Sequence, residues 1–271
     1  MERLEKMILT VVLLICLAAA AFAGWKLYSY YRVYHDGKKE YDNLTKYIDK
    51  DGLERSKDTD QGNRKDNGKD RCPISVDFTS LKKINREIVG WIYIPGTGIN
   101  YPIVQAKDNT KYLHRTFRGK DSYVGAIFLD ALCEPDFSSF NSIIYGHNLK
   151  NGEMFGHLKK LYDVEYNPKA DYKKHPTVWI ITPEHTWEYK IFAFREINTR
   201  RDPDVYTIDL PNIKERRAFL DKQIRRAQKD TGIKTLETER VITLSTCTSQ
   251  SREGRFVVQS IFQLTQRNFD F

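Results

Sequence analysis

Hydrophobic and polar positions follow three different rhythms along the chain. Between Met7 and Trp25 no charged residue occurs, and Leu, Ile, Val and Ala dominate. At helical rise such a run matches a hydrocarbon core, so it predicts a membrane-spanning helix. Trp25, Tyr28, Tyr30 and Tyr31 follow as an interfacial aromatic belt. Ala21-Phe22-Ala23 resembles a leader-cleavage site, which leaves a removed signal peptide as the alternative; the length of the run and the belt favour retention. Arg3 and Lys6 precede the run and Lys26 and Arg32 follow it, a weak topological bias. No second run of this kind occurs. The simplest arrangement keeps residues 1–6 in the cytoplasm, residues 7–27 in the membrane and the remainder outside the cell.

The second rhythm is helical. Tyr34, Tyr41, Leu44, Tyr47 and Ile48 recur at intervals of three and four, so residues 28–50 form either a helix or a solvated stalk. Residues 51–71 are almost all charged, Gly, Asn or Gln, with Leu53 their one large apolar side chain. They cannot bury enough surface to offset ordering entropy and read as a tether. Asp77 is placed to cap a helix whose apolar face is Leu81, Ile84 and Ile88 and which Gly90 ends. Phe155, Leu158 and Leu161 predict a short helix. Asn212 predicts the cap of a longer one over 212–229, with Ile213, Leu220, Ile224 and Ala227 on one face and Gly232 as terminator.

The third rhythm is the alternation of strands. It occupies 90–105 as two runs around Pro95-Gly96, then 123–130, 142–145, 178–182 and 187–194 around Pro183-Glu-His185, and finally 241–247 and 255–264. Many short strands with a few inserted helices predict a mainly β domain over 72–271, a closed or nearly closed barrel without exposed edges.

The composition supports a real core: 40% of residues are hydrophobic and 13% aromatic. The formal charge is +8, but Lys and Arg are interleaved with Asp and Glu and form no basic stripe with aromatic residues. Nucleic acid is therefore not an expected partner, whereas attraction to an anionic surface is. The four cysteines, at 16, 72, 133 and 247, show neither C-x-x-C nor zinc spacing, so no metal or other cofactor is expected. A Cys72–Cys133 disulfide is compatible with the pattern but has no specific support.

The last two strands carry the candidate chemistry. Alternation puts Val241, Thr243, Ser245 and Cys247 on one face, with Cys247 at the strand's exit and Arg255 at the entrance of the next. An antiparallel pair would make thiol and guanidinium neighbours. A cation favours the nucleophilic thiolate, and a guanidinium offers a fork of donors to a developing oxyanion. The bland alternative is a small buried apolar Cys. A thiol nucleophile needs an imidazole. Of the six histidines, His35, His175 and His185 lie in polar contexts, His114 reads as a packed residue and His157 as mid-helix. His147 ends a strongly apolar strand, after Gly146 and before Asn148, where a rigid scaffold presents reactive groups.

Taken together, Thr243-Leu-Ser-Thr-Cys247, Gly254-Arg-Phe-Val-Val258, Tyr145-Gly-His-Asn148, Gly90-Trp-Ile-Tyr-Ile-Pro-Gly-Thr97 and Gly125-Ala-Ile-Phe-Leu-Asp130 resemble the sortases, most closely class B. The resemblance implies an eight-stranded sortase barrel, with the 212–229 helix as the insertion before the catalytic strand. It implies Cys247 as nucleophile, His147 as general acid/base and Arg255 as carbonyl or oxyanion ligand, with Ser245, Thr246 and Asn148 contacting substrate. The implied partners are secreted proteins bearing a Pro-containing sorting motif and a lipid-linked peptidoglycan precursor, met at the membrane of a Gram-positive cell. Two features depart from the family or compete within it. Thr248, Ser249 and Gln250 stand where some class B members have an acidic residue, and Arg252 lies close to Arg255. A pilin-polymerising sortase, a hydrolytic cysteine peptidase and an inactive surface-binding barrel are the remaining alternatives.

Overall fold

The computed structural model describes residues 2–49, 72–247 and 253–267, with Cys247 and residues 264–267 described as backbone only. Two compact units divide it, residues 1–43 and 44–271. The first is part of one helix, α1, Glu2–Leu44. Its apolar segment is long and apolar enough to cross a membrane by length and composition. Between the two readings of 28–50, helix and solvated stalk, α1 takes the helical one as far as Leu44. The expected tether over 51–71 lies outside the described residues.

The second unit opens with a two-stranded ladder of β1 (Ile48–Asp49) and β2 (Ser75–Val76). Helix α2, Phe78–Ile84, follows, and Asp77 caps it by accepting from the Ser80 N–H at 2.9 Å. The helix is shorter than its apolar spacing suggests. Ile88 pairs with Val104 across a sheet, and Gly90 lies inside a strand instead of ending the helix. A side chain there would sit 3.0 Å from the Ile181 carbonyl and 3.1 Å from the Phe137 ring, so close packing explains this glycine.

Eight strands close a barrel in the order β10-β8-β7-β3-β4-β5-β6-β9. They are β3 (Ile88–Tyr93), β4 (Asn100–Val104), β5 (Ile127–Leu129), β6 (Asn141–Tyr145), β7 (Thr177–Ile181), β8 (His185–Asn198), β9 (Val241–Cys247) and β10 (Gly254–Arg267). β5 is shorter than the apolar run from Tyr123 because Gly125, at φ +65°, turns the chain before the ladder begins. The core is largely aliphatic and aromatic: Trp91, Ile92, Ile103, Ile143, Ile144, Ile180, Leu244, Phe256 and Val258 are all buried.

A short helix, α3 (Leu158–Tyr162), follows β6. Between β8 and β9 lies the insertion that carries α4, Ile213–Arg226. Asn212 accepts from the Glu215 N–H at 2.9 Å, as a cap should. Phe219 and Leu220 are buried against Phe140, Phe192, Val241 and Ile261, each such burial stabilising by about 1.5–3 kcal/mol. The helix ends at Arg226; Gly232, at φ +71°, belongs to the following loop and does not terminate it.

The 72–133 disulfide is absent: both residues are free thiols. Burial pushes each up to about 12, and the Cys133 sulfur accepts from the Ile143 N–H at 3.4 Å. They are inert structural residues.

Candidate active site

Strand pairing builds the site. β6 and β9 run parallel, with Tyr145 opposite Ser245 as their last pair. The Gly146 N–H continues the ladder to the Ser245 carbonyl at 3.2 Å. His147 and Cys247 each lie two residues past that pair, so both strands deliver them to one end of the barrel. β10 runs antiparallel to β9, and its register sets Arg255 opposite Cys247. Positions 247 and 255 therefore face each other across β9 and β10, and position 147 follows β6 at the same end of the barrel. The hairpin half of this arrangement follows from the sequence; the His147 half depends on a parallel pairing between segments far apart in the chain.

A buried polar ladder fixes the register of the same three strands. Asn141 on β6 donates to the Val205 and Thr207 carbonyls at 3.0 and 2.9 Å. Its side-chain Oδ1 accepts from Thr243 Oγ1 at 2.7 Å, and Gln259 Nε2 on β10 donates to Thr243 Oγ1 at 3.2 Å. Slipping either strand would strand these groups in an apolar setting, a cost that opposes alternative registers.

His147 is held on several sides. Its Nε2 lies 2.7 Å from the Leu113 carbonyl. A carbonyl only accepts, so Nε2 carries the hydrogen and Nδ1 keeps the basic lone pair of the neutral ring. The Leu113 segment is itself tied down, because Tyr112 Oη accepts from Asn85 Nδ2 at 2.8 Å and donates to Glu87 at 2.5 Å. Tyr123 stacks on the imidazole at 5.7 Å and 19° while remaining 63% exposed. Gly125 lies beneath the ring, where a Cβ would be 2.8 Å from His147 Cδ2. Burial lowers the pKa of His147 from its ordinary 6.5; the Leu113 hydrogen bond opposes that and the nearby His114 adds to it. Burial by itself therefore favours the neutral ring over the imidazolium. Tyr123→Ala, which uncovers the ring, should move its titration midpoint up towards 6.5, measured from the imidazole Cε1–H resonance across pH. An unchanged midpoint would show that the stack contributes nothing to the desolvation.

Arg255 is half-buried and its Nη1 donates to the Gly254 carbonyl at 2.8 Å. Ser245 is buried, with Oγ 2.9 Å from Tyr206 Oη. Tyr206 stacks on Tyr145 at 6.2 Å, which brings the insertion over the β6–β9 surface. Thr246 is also buried, and its hydroxyl has no hydrogen-bond partner among the described residues. Asn148 is half-buried and bridges to Met154 through the backbone. Tyr123, the Leu113 carbonyl and Tyr206 were not singled out from the sequence. The sequence reads Tyr123 and Gly125 as part of the strand over 123–130.

Of the other histidines, His114 is near His147. His114 is exposed, not packed, and His157 precedes α3 instead of lying within it. His35 is exposed on α1, His175 bonds to the Pro95 carbonyl, and His185 stacks on Trp187 at the start of β8.

Known proteins agree with the barrel. The family model described as Sortase domain matches residues 92–261. Sortase B of Listeria monocytogenes is 32% identical over 250 residues, covering 91% of this chain and 93% of that protein. Among solved structures, the Staphylococcus aureus sortase B–substrate complex superposes with a TM-score of 0.67 at 27% identity, covering 84% of this chain and 97% of that one. Sortase B from Bacillus anthracis, in complex with AAEK1, gives 0.66 at 29% identity, covering 86% and 98%. The chain belongs to the sortase family of cysteine transpeptidases, in its class B branch.

Proposed function

We propose that this chain joins secreted proteins to peptidoglycan at the outer face of a Gram-positive cell membrane, held there by residues 7–27, with 28–71 as spacer and 72–271 as the catalytic domain. Cys247 is the nucleophile, His147 the acid/base and Arg255 the ligand of the carbonyl oxygen. Ser245, Thr246 and Asn148 belong to the substrate-binding surface. The observations that support the proposal are the pairing of Arg255 with Cys247 and the parallel β6–β9 ladder, whose last pair, Tyr145 and Ser245, precedes His147 and Cys247 by two residues each.

In the first step the thiolate forms a C–S bond to the carbonyl carbon of the sorting motif's Thr. The displaced carbonyl electrons rest on oxygen, opposite the Arg255 guanidinium. As the carbonyl re-forms, the scissile C–N bond breaks and the leaving nitrogen takes a proton from protonated His147, which leaves a thioester. In the second step an amine of a lipid-linked peptidoglycan precursor attacks that thioester. His147 Nδ1 takes the amine's proton, and Cys247 leaves as thiolate. A depressed His147 pKa sets the acid side of this cycle. Whether the resting pair is thiol and imidazole or thiolate and imidazolium, the lower limb of kcat/KM belongs to the lower of the two macroscopic pKa values and falls below pH 6.5.

The test is the intact mass of the protein after incubation with a panel of sorting peptides and no acceptor amine. A gain equal to one peptide's N-terminal fragment is expected, with no gain in Cys247→Ala. Adding a diamino-peptide should then release the fragment faster than water does. An adduct that survives Cys247→Ala would sink the nucleophile assignment. Release that is indifferent to amine would leave a hydrolase.

A further inference from the structure

A second concavity shares the rim of the barrel with His147. β3 runs in the same direction as β6, because β3 and β4 are antiparallel, β4 and β5 parallel, and β5 and β6 antiparallel. The connection from β3 to β4, residues 94–99, therefore lies at the end where β6 delivers His147. β7 is antiparallel to β3, so the residues that lead into it lie at that end too. Between these segments is a pocket of about 390 Å³, bordered by Gly96, His157, Lys160, Lys169, Lys174 and His175. It is joined to the candidate active site through the backbone: the Phe155 N–H donates to the His147 carbonyl at 3.0 Å, and His157 follows two residues later.

Its lining is strongly biased towards cations. The three lysines are exposed, and no carboxylate pairs with any of them among the described residues. One carboxylate, Asp171, also borders the pocket, and its Oδ1 is engaged by the Lys173 N–H at 3.1 Å. Two half-buried imidazoles complete the wall, each seated on a glycine. His175 donates through Nδ1 to the Pro95 carbonyl at 2.9 Å, which leaves Nε2 for another partner, and a Cβ on Gly96 would meet its ring at 3.0 Å. A Cβ on Gly152 would lie 2.0 Å from His157 Nε2, so that ring occupies space only glycine leaves open. Burial lowers the His157 pKa, and the charge of Lys160 lowers it further.

We propose that this pocket binds a phosphate or diphosphate group, and that in the transfer step it holds the anionic carrier of the acceptor amine near the thioester. Lysines are well suited to phosphate as point charges, and the volume lies in the range of small-ligand sites. The use made of the group rests on the function proposed above; the binding itself does not.

The experiment keeps these apart. The full chain is reconstituted in discs of phosphatidylcholine, and binding of inorganic pyrophosphate is followed by broadening of its ³¹P resonance, with no sorting peptide present. Saturable broadening is expected, at least tenfold weaker in K160Q/K169Q/K174Q, whose exposed substitutions leave the circular dichroism unchanged. Discs that also contain a polyprenyl diphosphate distinguish the source. If the lipid blocks added pyrophosphate, the pocket takes a headgroup; if not, it takes a soluble phosphate. In peptide reactions the same variant should form the thioacyl adduct at the normal rate and transfer it normally to a free diamino-peptide, but slowly to an amine borne on a diphosphate. Absent broadening at millimolar pyrophosphate, or equal broadening by the variant, overturns the proposal whatever the adduct experiment gives.

Discussion

Arg255→Ala should slow formation of the thioacyl adduct by about 10²–10³-fold, the usual cost of deleting one oxyanion donor. The expectation follows from register. Arg255 is opposite Cys247 at the mouth of the β9–β10 hairpin, where the carbonyl under attack by that thiolate would lie. Its side chain is half-buried, and one nitrogen is committed to the Gly254 carbonyl at 2.8 Å. That bond orients the guanidinium, which in the proposed function is the ligand of the reacting oxygen. A residue that acts mainly on the transition state should show its loss in the rate constant and little in peptide affinity. Single-turnover acylation at saturating peptide separates the two. Arg255→Lys keeps the charge but loses the planar fork, so recovery should be partial at best. Arg252→Ala is the matched comparison, because Arg252 is the rival within the same connection. A larger loss in Arg252→Ala than in Arg255→Ala would transfer the role to Arg252.

What the sequence revealed and what it hid divide by the range of the forces involved. The β9–β10 hairpin was legible because both strands and their short connection are local, and an antiparallel return leaves Cys247 and Arg255 opposite each other. The caps Asp77 and Asn212 were legible for the same reason, since each needs only the backbone N–H three residues ahead. The overlong α2 shows the limit of local period. Leu81, Ile84 and Ile88 satisfy a helical spacing, yet Ile88 is captured by Val104, and the sheet outweighs the propensity of one more turn. The environment of His147 was the least legible. Its hydrogen-bond partner Leu113 is 34 residues away, and its delivery to the same end of the barrel as Cys247 requires a parallel pairing between β6 and β9 that no local pattern encodes. Resemblance to known motifs supplied that part. It could not supply Tyr123, whose ring covers the imidazole without belonging to any of those motifs.

Gly146→Ala should cost both stability and activity, and the two losses have one cause. Gly146 lies between the end of β6 and His147, and its N–H reaches the Ser245 carbonyl at 3.2 Å. A Cβ there would be 2.5 Å from Ile127 Cδ1 and 2.7 Å from Phe155 Cδ2. Both neighbours are fully buried, so neither ring nor methyl can swing into solvent. Overpacking of this kind costs about 1–3 kcal/mol, which for a domain of this size lowers Tm by about 2–12 °C. The strand end must move to relieve the clash, and it carries His147 with it. A displacement near 1 Å at a positioned catalytic group is worth about 10²-fold in rate. Acylation measured well below the lowered Tm isolates this second effect. Gly98→Ala is the neutral comparison for stability, because the nearest atom to its Cβ is 3.7 Å away. Ile127→Val removes the methyl that makes the closest approach, so combined with Gly146→Ala it should recover part of both losses, a coupling that independent sites would not show. If Gly146→Ala melts and reacts like Gly98→Ala, the end of β6 is softer than its packing indicates, and the register of strands, not the glycine, is what holds His147 in place.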